Sequence, residues 1–433
     1  MAEDNKFLLL ICNDKVGSSM AGPGIRYFEL AKALSRFIKV RLLVPDGTDI
    51  ESKDFEINSY KSSRSSSSIA RSLQDVSCVI AQSLRPPLLW KIKKRGIKFI
   101  ADLYDPLTIE TLEYTKYDNA KVKQAVFDFN YYSLQLQLSY ADHILCASER
   151  QRDLYLGMLS NLRRINPDLY SQSPDLAELI SLAPFGLDDK EIKRPGGDFL
   201  YQKFPGIKPT DKIIYWGGGV WNWFDPITVL KAIEELSRER NDVKLIFVGL
   251  RHPNPKIKEM EKAEEALSYA KEHGLLDKYV FFNFGWTPYE ERVHYLANAD
   301  VGISAHFNNL ETRFSFRTRI LDYLWAELPV VTTEGDSFAD LVTKRNLGIV
   351  VPYQDSEAIK NAITLILDDK KSSDLIKENI KKIKPDFYWS KIAGNIFDVI
   401  SKSKIASAKI SPAAFFSITW KYYLAGLRKK ITK

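Results

Sequence analysis

IIYWGGGVWNWFDPITVLKAI, residues 213–233, runs from an apolar strand through three consecutive glycines into a helical pattern. The glycines leave bare backbone at the carboxyl end of the strand, where a ligand can approach closely. Trp221, Asn222 and Trp223 follow at once, placed so that indole rings line a sugar or nucleotide pocket beside Gly218 and Gly219. The competing reading is that the tryptophans pack the domain's own core. Either way the segment is a strand, a turn and a helix, the unit of a parallel α/β sheet.

The same alternation extends in both directions. Downstream, VKLIFVG (243–249), YVFFNFG (279–285), VGISA (301–305), PVVTT (329–333) and GIVVPY (348–353) read as strands separated by helical patterns. Upstream, FLLLIC (7–12), VRLLV (40–44), CVIAQ (78–82), KFIADLY (98–104) and HILCAS (143–148) form a first series. Between strand one and its helix lies AGPGIR (21–26), and a long helical pattern covers 117–140. Ser148 is placed to cap the next helix, with Gln151 completing a capping box. SSRSSSS (62–68) reads as a flexible loop. These patterns divide the chain into a domain at 1–190, a linker rich in Pro, Gly and charge at 191–210, a second domain at 211–400, and a helical tail at 401–433. Each domain's ligand crevice belongs at the carboxyl ends of its strands. Domains that face one another place the site between them, one holding a donor and the other an acceptor.

Composition excludes several classes. With 433 residues, 45% hydrophobic and 27% charged, the chain is an ordinary globular one. MAEDNKFLLLICN has acids where a secretion signal needs bases, and no apolar run approaches the ~18 residues of a membrane span. Cys12, Cys78 and Cys146 are odd in number and far apart, without zinc or disulfide spacing, as suits reduced thiols in the cytoplasm. The net charge of +7 is scattered, without the aromatic-plus-basic signatures of RNA modules, so nucleic acid is not an expected partner. The exception is the tail. Ser411-Pro412 opens AAFFSITWKYYLAGLRKKITK, which reads either as a helix on an anionic membrane surface, through 411–433, or as a terminal helix docked on its own protein.

Three constellations carry chemistry. Gly22 and Gly24 allow close backbone approach to a phosphate, and Arg26 adds a charge; a plain tight turn is the alternative. The second is the glycine–tryptophan stretch above. The third is NNLETRFSFRTRILDYLWAELPVV (308–331), which predicts a helix from Ser315 onward. Its spacing puts Phe316, Ile320, Tyr323 and Leu324 on one face, and Ser315, Thr318, Arg319 and Asp322 on the other. Arg317 and Arg319 near its start can meet a diphosphate, and Asp322 can accept both hydroxyls of a ribose. The alternative is that Arg319 and Asp322 form a surface pair worth a few tenths of a kcal/mol.

At these residues the chain resembles family 4 of the glycosyltransferases, over roughly residues 7–400. The resemblance implies the GT-B fold, in which two Rossmann-like domains face each other across a cleft. The family's donor helix reads Glu, seven residues, Glu, then Ala-x-x-x-Gly-x-Pro-Val. Pro329-Val330 match its end and Asp322 falls on the second glutamate, expected to hold the ribose. Phe314 occupies the first glutamate's position, with Glu311 upstream as its substitute, and Glu327 stands where the family has glycine. By the same resemblance GPGIR is the acceptor-side glycine loop, and Trp286 and Thr287 touch the base. The family's Arg and Lys after the first strand of the second domain are replaced by WNWFDP, so the diphosphate role passes to Arg317 or Arg319. ADLYDP (101–106) lies near the place of the family's cleft histidine, making Asp105 a candidate with the two arginines for the catalytic centre.

The function so implied is a retaining transfer, without metal or other cofactor, from a nucleotide-diphosphate sugar to a glycan or lipid-linked saccharide in cell-surface polysaccharide synthesis. The departing diphosphate takes the acceptor's proton while cations and helix N-termini stabilise it. Two alternatives stay open, a catalytically degenerate GT-B binding subunit and a sugar-nucleotide epimerase.

Overall fold

The computed structural model describes residues 6–61, 69, 71–192, 198–250, 259–401 and 411–432; the serine-rich stretch 62–68 lies outside them. The chain forms two compact units, Met1–Phe185 with Trp389–Lys433, and Gly186–Tyr388.

The first unit is built on seven strands: β1 (Phe7–Ile11), β2 (Val40–Pro45), β3 (Glu56–Tyr60), β4 (Val76–Ala81), β5 (Lys98–Asp102), β6 (His143–Cys146) and β7 (Ile180–Leu182). They pair in the order β3-β2-β1-β4-β5-β6-β7, and every pairing is parallel. Leu8, Leu9 and Leu10 of β1 are fully buried, as a central strand covered by helices on both faces requires. The Ala120–Tyr140 helix starts where Asn119 accepts a hydrogen bond from the Val122 N–H. At the next helix the Ser148 hydroxyl accepts from the Gln151 N–H, while the Gln151 side chain reaches back to the Ala147 N–H at 2.8 Å, one residue beyond the usual reciprocal partner. All three cysteines are buried free thiols, each held up to about 12 by loss of hydration and therefore unreactive.

The second unit carries β8 (Lys212–Gly217), β9 (Val243–Val248), β10 (Val280–Asn283), β11 (Val301–Ser304), β12 (Val330–Thr333) and β13 (Gly348–Val351), in the order β10-β9-β8-β11-β12-β13. These pairings are parallel too. The strand order reverses between β8 and β11, so side chains following those two strands converge at one point of the sheet's carboxyl edge.

The boundaries differ from those read off the sequence. Trp389–Ser401, expected to end the second domain, belongs to the first unit. Its buried stripe of Trp389, Ile392, Ala393 and Ile396 packs there, with Trp389 5.1 Å from Phe185 and Phe397 stacked at 5.2 Å on Phe37. Part of the expected linker is also structured. Phe199–Lys203 is a helix of the second unit, with Leu200 buried and Phe199 edge-on to Tyr295 at 5.3 Å. The tail forms the Pro412–Ile431 helix, capped by Ser411, and packs on Ala120–Tyr140 through Phe415 and Tyr422.

Candidate functional site

At the carboxyl end of β8 the backbone turns at Gly218, which is exposed and has φ +74°, a conformation glycine adopts without strain. Gly249, after β9, has φ +93°, and a Cβ there would lie 3.5 Å from the Gly218 carbonyl carbon and 3.7 Å from the Trp286 ring. The Trp221 Nε1 stands 3.2 Å from where a Gly219 Cβ would be. Gly218, Gly219, Trp221, Gly249 and Trp286 are therefore neighbours, gathered from three strand ends. Trp223 turns inward instead: it is buried and stacks on Trp221 at 5.4 Å, so one indole lines the turn and the other packs beneath it. Tyr323 locks the base of the turn. Its hydroxyl accepts from the Gly217 N–H at 3.0 Å and donates to the Ile303 carbonyl at 2.8 Å. A side chain on Gly302 would collide with the Tyr323 ring.

The helix predicted from Ser315 is broken. Leu310–Phe314 and Thr318–Trp325 are separate helices, and Ser315 caps the first, its N–H donating to the Glu311 carbonyl at 2.8 Å. Phe316 packs on Phe338 at 4.7 Å. The break lets the two arginines point to different partners.

Arg319 reaches the glycine turn. It is 8% exposed, its Nη2 donates to the Gly219 carbonyl at 2.7 Å, and its guanidinium lies 3.8 Å over the Phe224 ring and 4.9 Å from that of Trp216. Its Nη1 is buried without a hydrogen-bond partner. Burial pushes the guanidinium down to about 10, with Arg317 adding to the effect, so it remains charged at neutral pH. A buried cation with one donor unfilled, beside an open glycine backbone, is a place for an anion.

Arg317, offered by the sequence for the same role, is committed elsewhere. It makes a two-pronged pair with Glu311 at 2.9 and 2.7 Å, donates to the Thr312 hydroxyl at 3.1 Å, and lies 3.7 Å from Asp336 Oδ2. Glu311 is correspondingly a counter-ion for Arg317 and not a stand-in for the family's sugar-binding glutamate. The same buried group includes His306, 3.8 Å from Asp336 and 3.1 Å from the Glu334 carbonyl. Burial drives His306 well below its ordinary range and raises Asp336 to about 6 against the pull of Arg317. The Arg317 positive charge is thus balanced within the fold.

Asp322 is 29% exposed and pairs with Arg292 at 3.2 Å; loss of hydration raises its pKa, opposed by Arg292 and Arg319. Arg292 is itself held by stacking on Tyr289 at 3.9 Å and by a bond to its hydroxyl at 2.9 Å. Thr287 accepts from the Asn283 side chain at 2.8 Å.

In the first unit the glycine-loop expectation is revised. Arg26 is fully buried and forms a two-pronged pair with Asp102 at 2.8 and 2.6 Å. Two further donors go to the carbonyls of Pro184 and Ala183 at 2.8 and 2.9 Å, so four of its five N–H groups and its charge are spent inside the fold and not on a phosphate. A side chain on Gly24 would strike the Lys15 carbonyl, which makes this glycine a packing requirement. Around Gly22, at the start of the Gly22–Leu34 helix, the space is open. Asp105, just past β5, is half-buried and accepts from Gln82 at 3.2 Å.

Residues 201–383 match the family model described as glycosyl transferases group 1. No curated protein matches the chain. Among solved structures, Anabaena HepE in complex with UDP-glucose superposes with a TM-score of 0.64 at 14% identity, covering 92% of this chain and 99% of that one. A glycosyltransferase from Rickettsia africae gives 0.64 at 15% identity, with 92% and 99% covered. Sucrose-phosphate synthase from Thermosynechococcus elongatus gives 0.61 at 16% identity, with 92% and 98% covered. The fold is GT-B, of two Rossmann-like domains.

Within the second unit, sequence reasoning missed Arg292, Tyr323's locking role, His306 and Asp336. His306 follows VGISA directly, so its place at a strand's carboxyl end was a readable signal. Asp336 carried a weaker one, as the residue before the Ser337–Arg345 helix it caps.

Proposed function

We propose that the chain is a retaining glycosyltransferase that moves a sugar from a nucleotide-diphosphate donor to a glycan or lipid-linked saccharide in cell-surface polysaccharide synthesis. The observation that carries the donor site is the buried Arg319 guanidinium with its unfilled Nη1 beside Gly218 and Gly219. A diphosphate placed there gains a charge-assisted bond and bare backbone on its approach side. Trp286 and Trp221 flank that position for the base or the sugar, and Asp322, oriented by Arg292, is the acceptor for ribose hydroxyls. The HepE complex with UDP-glucose makes a uridine diphosphate sugar the first donor to try.

As the bond from sugar to diphosphate breaks, negative charge grows on the leaving oxygen. A fixed cation in a water-poor setting stabilises that charge more than it stabilises the ground state, which lowers the barrier. The diphosphate oxygen then takes the acceptor's proton, and no side-chain base or metal is required in this reading. Asp105 in the first unit is assigned to the acceptor side, where it orients a hydroxyl.

Purified protein offered UDP-sugars and saccharide acceptors is expected to release UDP only when both are present, and the product should keep the donor's anomeric configuration by NMR. Asp322→Ala should weaken donor binding. Product formed without acceptor would instead indicate an epimerase, and UDP binding without turnover a binding subunit.

A further inference from the structure

The Pro412–Ile431 helix is inverted relative to an ordinary surface helix. Its inner side is filled: Phe415 lies 5.0 Å from Trp90 and 5.2 Å from Tyr140, and Tyr422 lies 5.0 Å from Phe129. Its outer side is also apolar, and Phe416, Trp420, Tyr423, Leu424, Leu427 and Ile431 are all exposed, Trp420 at 66% and Ile431 at 83%. At ~100° per residue these six fall within an arc of about 100°, one continuous stripe along the helix. Lys430 lies along one margin, and Lys421 and Arg428 lie along the other. The helix contains no Asp or Glu. Arg428 stands 3.9 Å from Asp128 while remaining largely exposed, and Lys429 covers the Phe129 ring at 4.5 Å. At the helix start Phe416 packs on Trp90 at 5.5 Å, whose own helix, Pro86–Lys94, exposes Lys91 and Lys94, followed by exposed Arg95.

We infer that this stripe lies in the surface of an anionic lipid bilayer, with Trp420, Leu427 and their neighbours among the acyl chains and the flanking Lys and Arg at the headgroups. Three features select a bilayer over a second copy of the chain. The stripe is rich in Phe, Trp and Tyr, which suit the boundary between hydrocarbon and headgroup, where one end of the side chain is dry and the other wet. Cations border both margins, so two such helices laid together would oppose like charges in either orientation, whereas paired helices place opposite charges there. The helix's own charges are all of one sign and complement anionic headgroups, each Lys or Arg near the surface adding attraction. Among the described residues no helix is long and apolar enough to cross a membrane, so the helix lies on the leaflet and does not span it. None of the residues assigned to the donor site takes part.

The test is sedimentation of the full chain with vesicles of phosphatidylcholine, with and without phosphatidylglycerol. Wild type should pellet with the anionic vesicles and lose this at high salt. Trp420→Ser with Leu427→Ser should lower partitioning at least ~tenfold from the apolar area removed. Lys421→Gln, Arg428→Gln and Lys430→Gln together should lower it roughly tenfold or more at low salt. Because all five side chains are exposed, both variants should keep the wild-type melting temperature and UDP affinity. The inference is overturned if wild type stays in the supernatant with anionic vesicles, or if the Ser double variant partitions like wild type. It is equally overturned if light scattering without lipid shows a dimer that the double variant turns into a monomer, since a second copy then occupies the stripe.

Discussion

Replacing Arg319 with methionine should weaken nucleotide binding while leaving the fold intact, and the two effects can be sized from its surroundings. The guanidinium makes one bond to the Gly219 carbonyl at 2.7 Å and lies 3.8 Å over the Phe224 ring. A hydrogen bond from a charged group contributes about 1.5–3 kcal/mol and a desolvated cation–π contact about 2 kcal/mol. Against these stands a desolvation cost of several kcal/mol for a buried ion, and among the described residues no carboxylate is in ion-pair contact with Arg319 to offset it. The opposing effects nearly cancel, and methionine fills similar space. The variant should therefore lie within ~1 kcal/mol of wild type, a shift of a few degrees in melting temperature. Binding of a diphosphate is different. It loses a charge-assisted bond of about 1.5–3 kcal/mol, so UDP affinity by calorimetry should fall about ten- to hundredfold. The wild type should also gain a rise in melting temperature with UDP that the variant largely lacks. Unchanged UDP affinity in a folded Arg319→Met protein would refute the assignment. A loss of stability above ~3 kcal/mol would show that the charge is balanced inside the fold, contrary to its unfilled Nη1.

Other consequences separate structural residues from ligand residues. Glu311→Gln should cost about 3 kcal/mol in urea melts by removing the two-pronged partner of the buried Arg317 and leaving it only the longer contact to Asp336, whereas Glu311→Leu with Arg317→Met should recover most of that and bind UDP like wild type. Gly302→Ala forces a methyl against the Tyr323 ring, and should lower stability by about 1–3 kcal/mol and weaken UDP binding, because Tyr323 holds the Gly217 N–H. His143 is buried with its ring nitrogens 3.0 Å from the Glu178 carbonyl and 2.8 Å from the Ser181 hydroxyl, and burial pulls it down to about 4. The unfolded chain takes up that proton first, near its ordinary value of about 6.5, so the stability is full above about pH 6.5 and declines as pH falls towards 4, by about 3 kcal/mol in all. His143→Asn should remove that part of the acid slope in urea melts run across this range.

Strands that are mostly apolar and β-branched, such as KIIYWG of β8 and VKLIFV of β9, were legible because a parallel sheet buries both faces of its strands. β3 and β7 were not. β3 is EINSY at the sheet's edge, mostly exposed, and β7 is three residues long, so neither carries a periodic apolar signal. The return of Trp389–Ser401 to the first unit was invisible for a different reason: its apolar stripe specifies that it packs, and not upon which unit. At the site, spacing located the right segment but assigned the charges poorly. Arg26, Arg317 and Arg319 are alike in sequence, and what separates them is the presence of Asp102 beside the first, Glu311 beside the second and a carbonyl beside the third. The Asp102 and Gly219 partners come from distant parts of the chain. Glu311 was near in sequence, but the break at Ser315–Arg317 that turns Arg317 back onto it has no glycine or proline to announce it.

A crystal structure with a uridine diphosphate sugar bound tests the central claim most directly. Phosphate oxygens should lie within hydrogen-bond reach of Arg319 Nη1 and against the Gly218–Gly219 backbone, with a ribose hydroxyl on Asp322. A nucleotide bound away from this turn, with Arg319 touching only Gly219, would contradict the account.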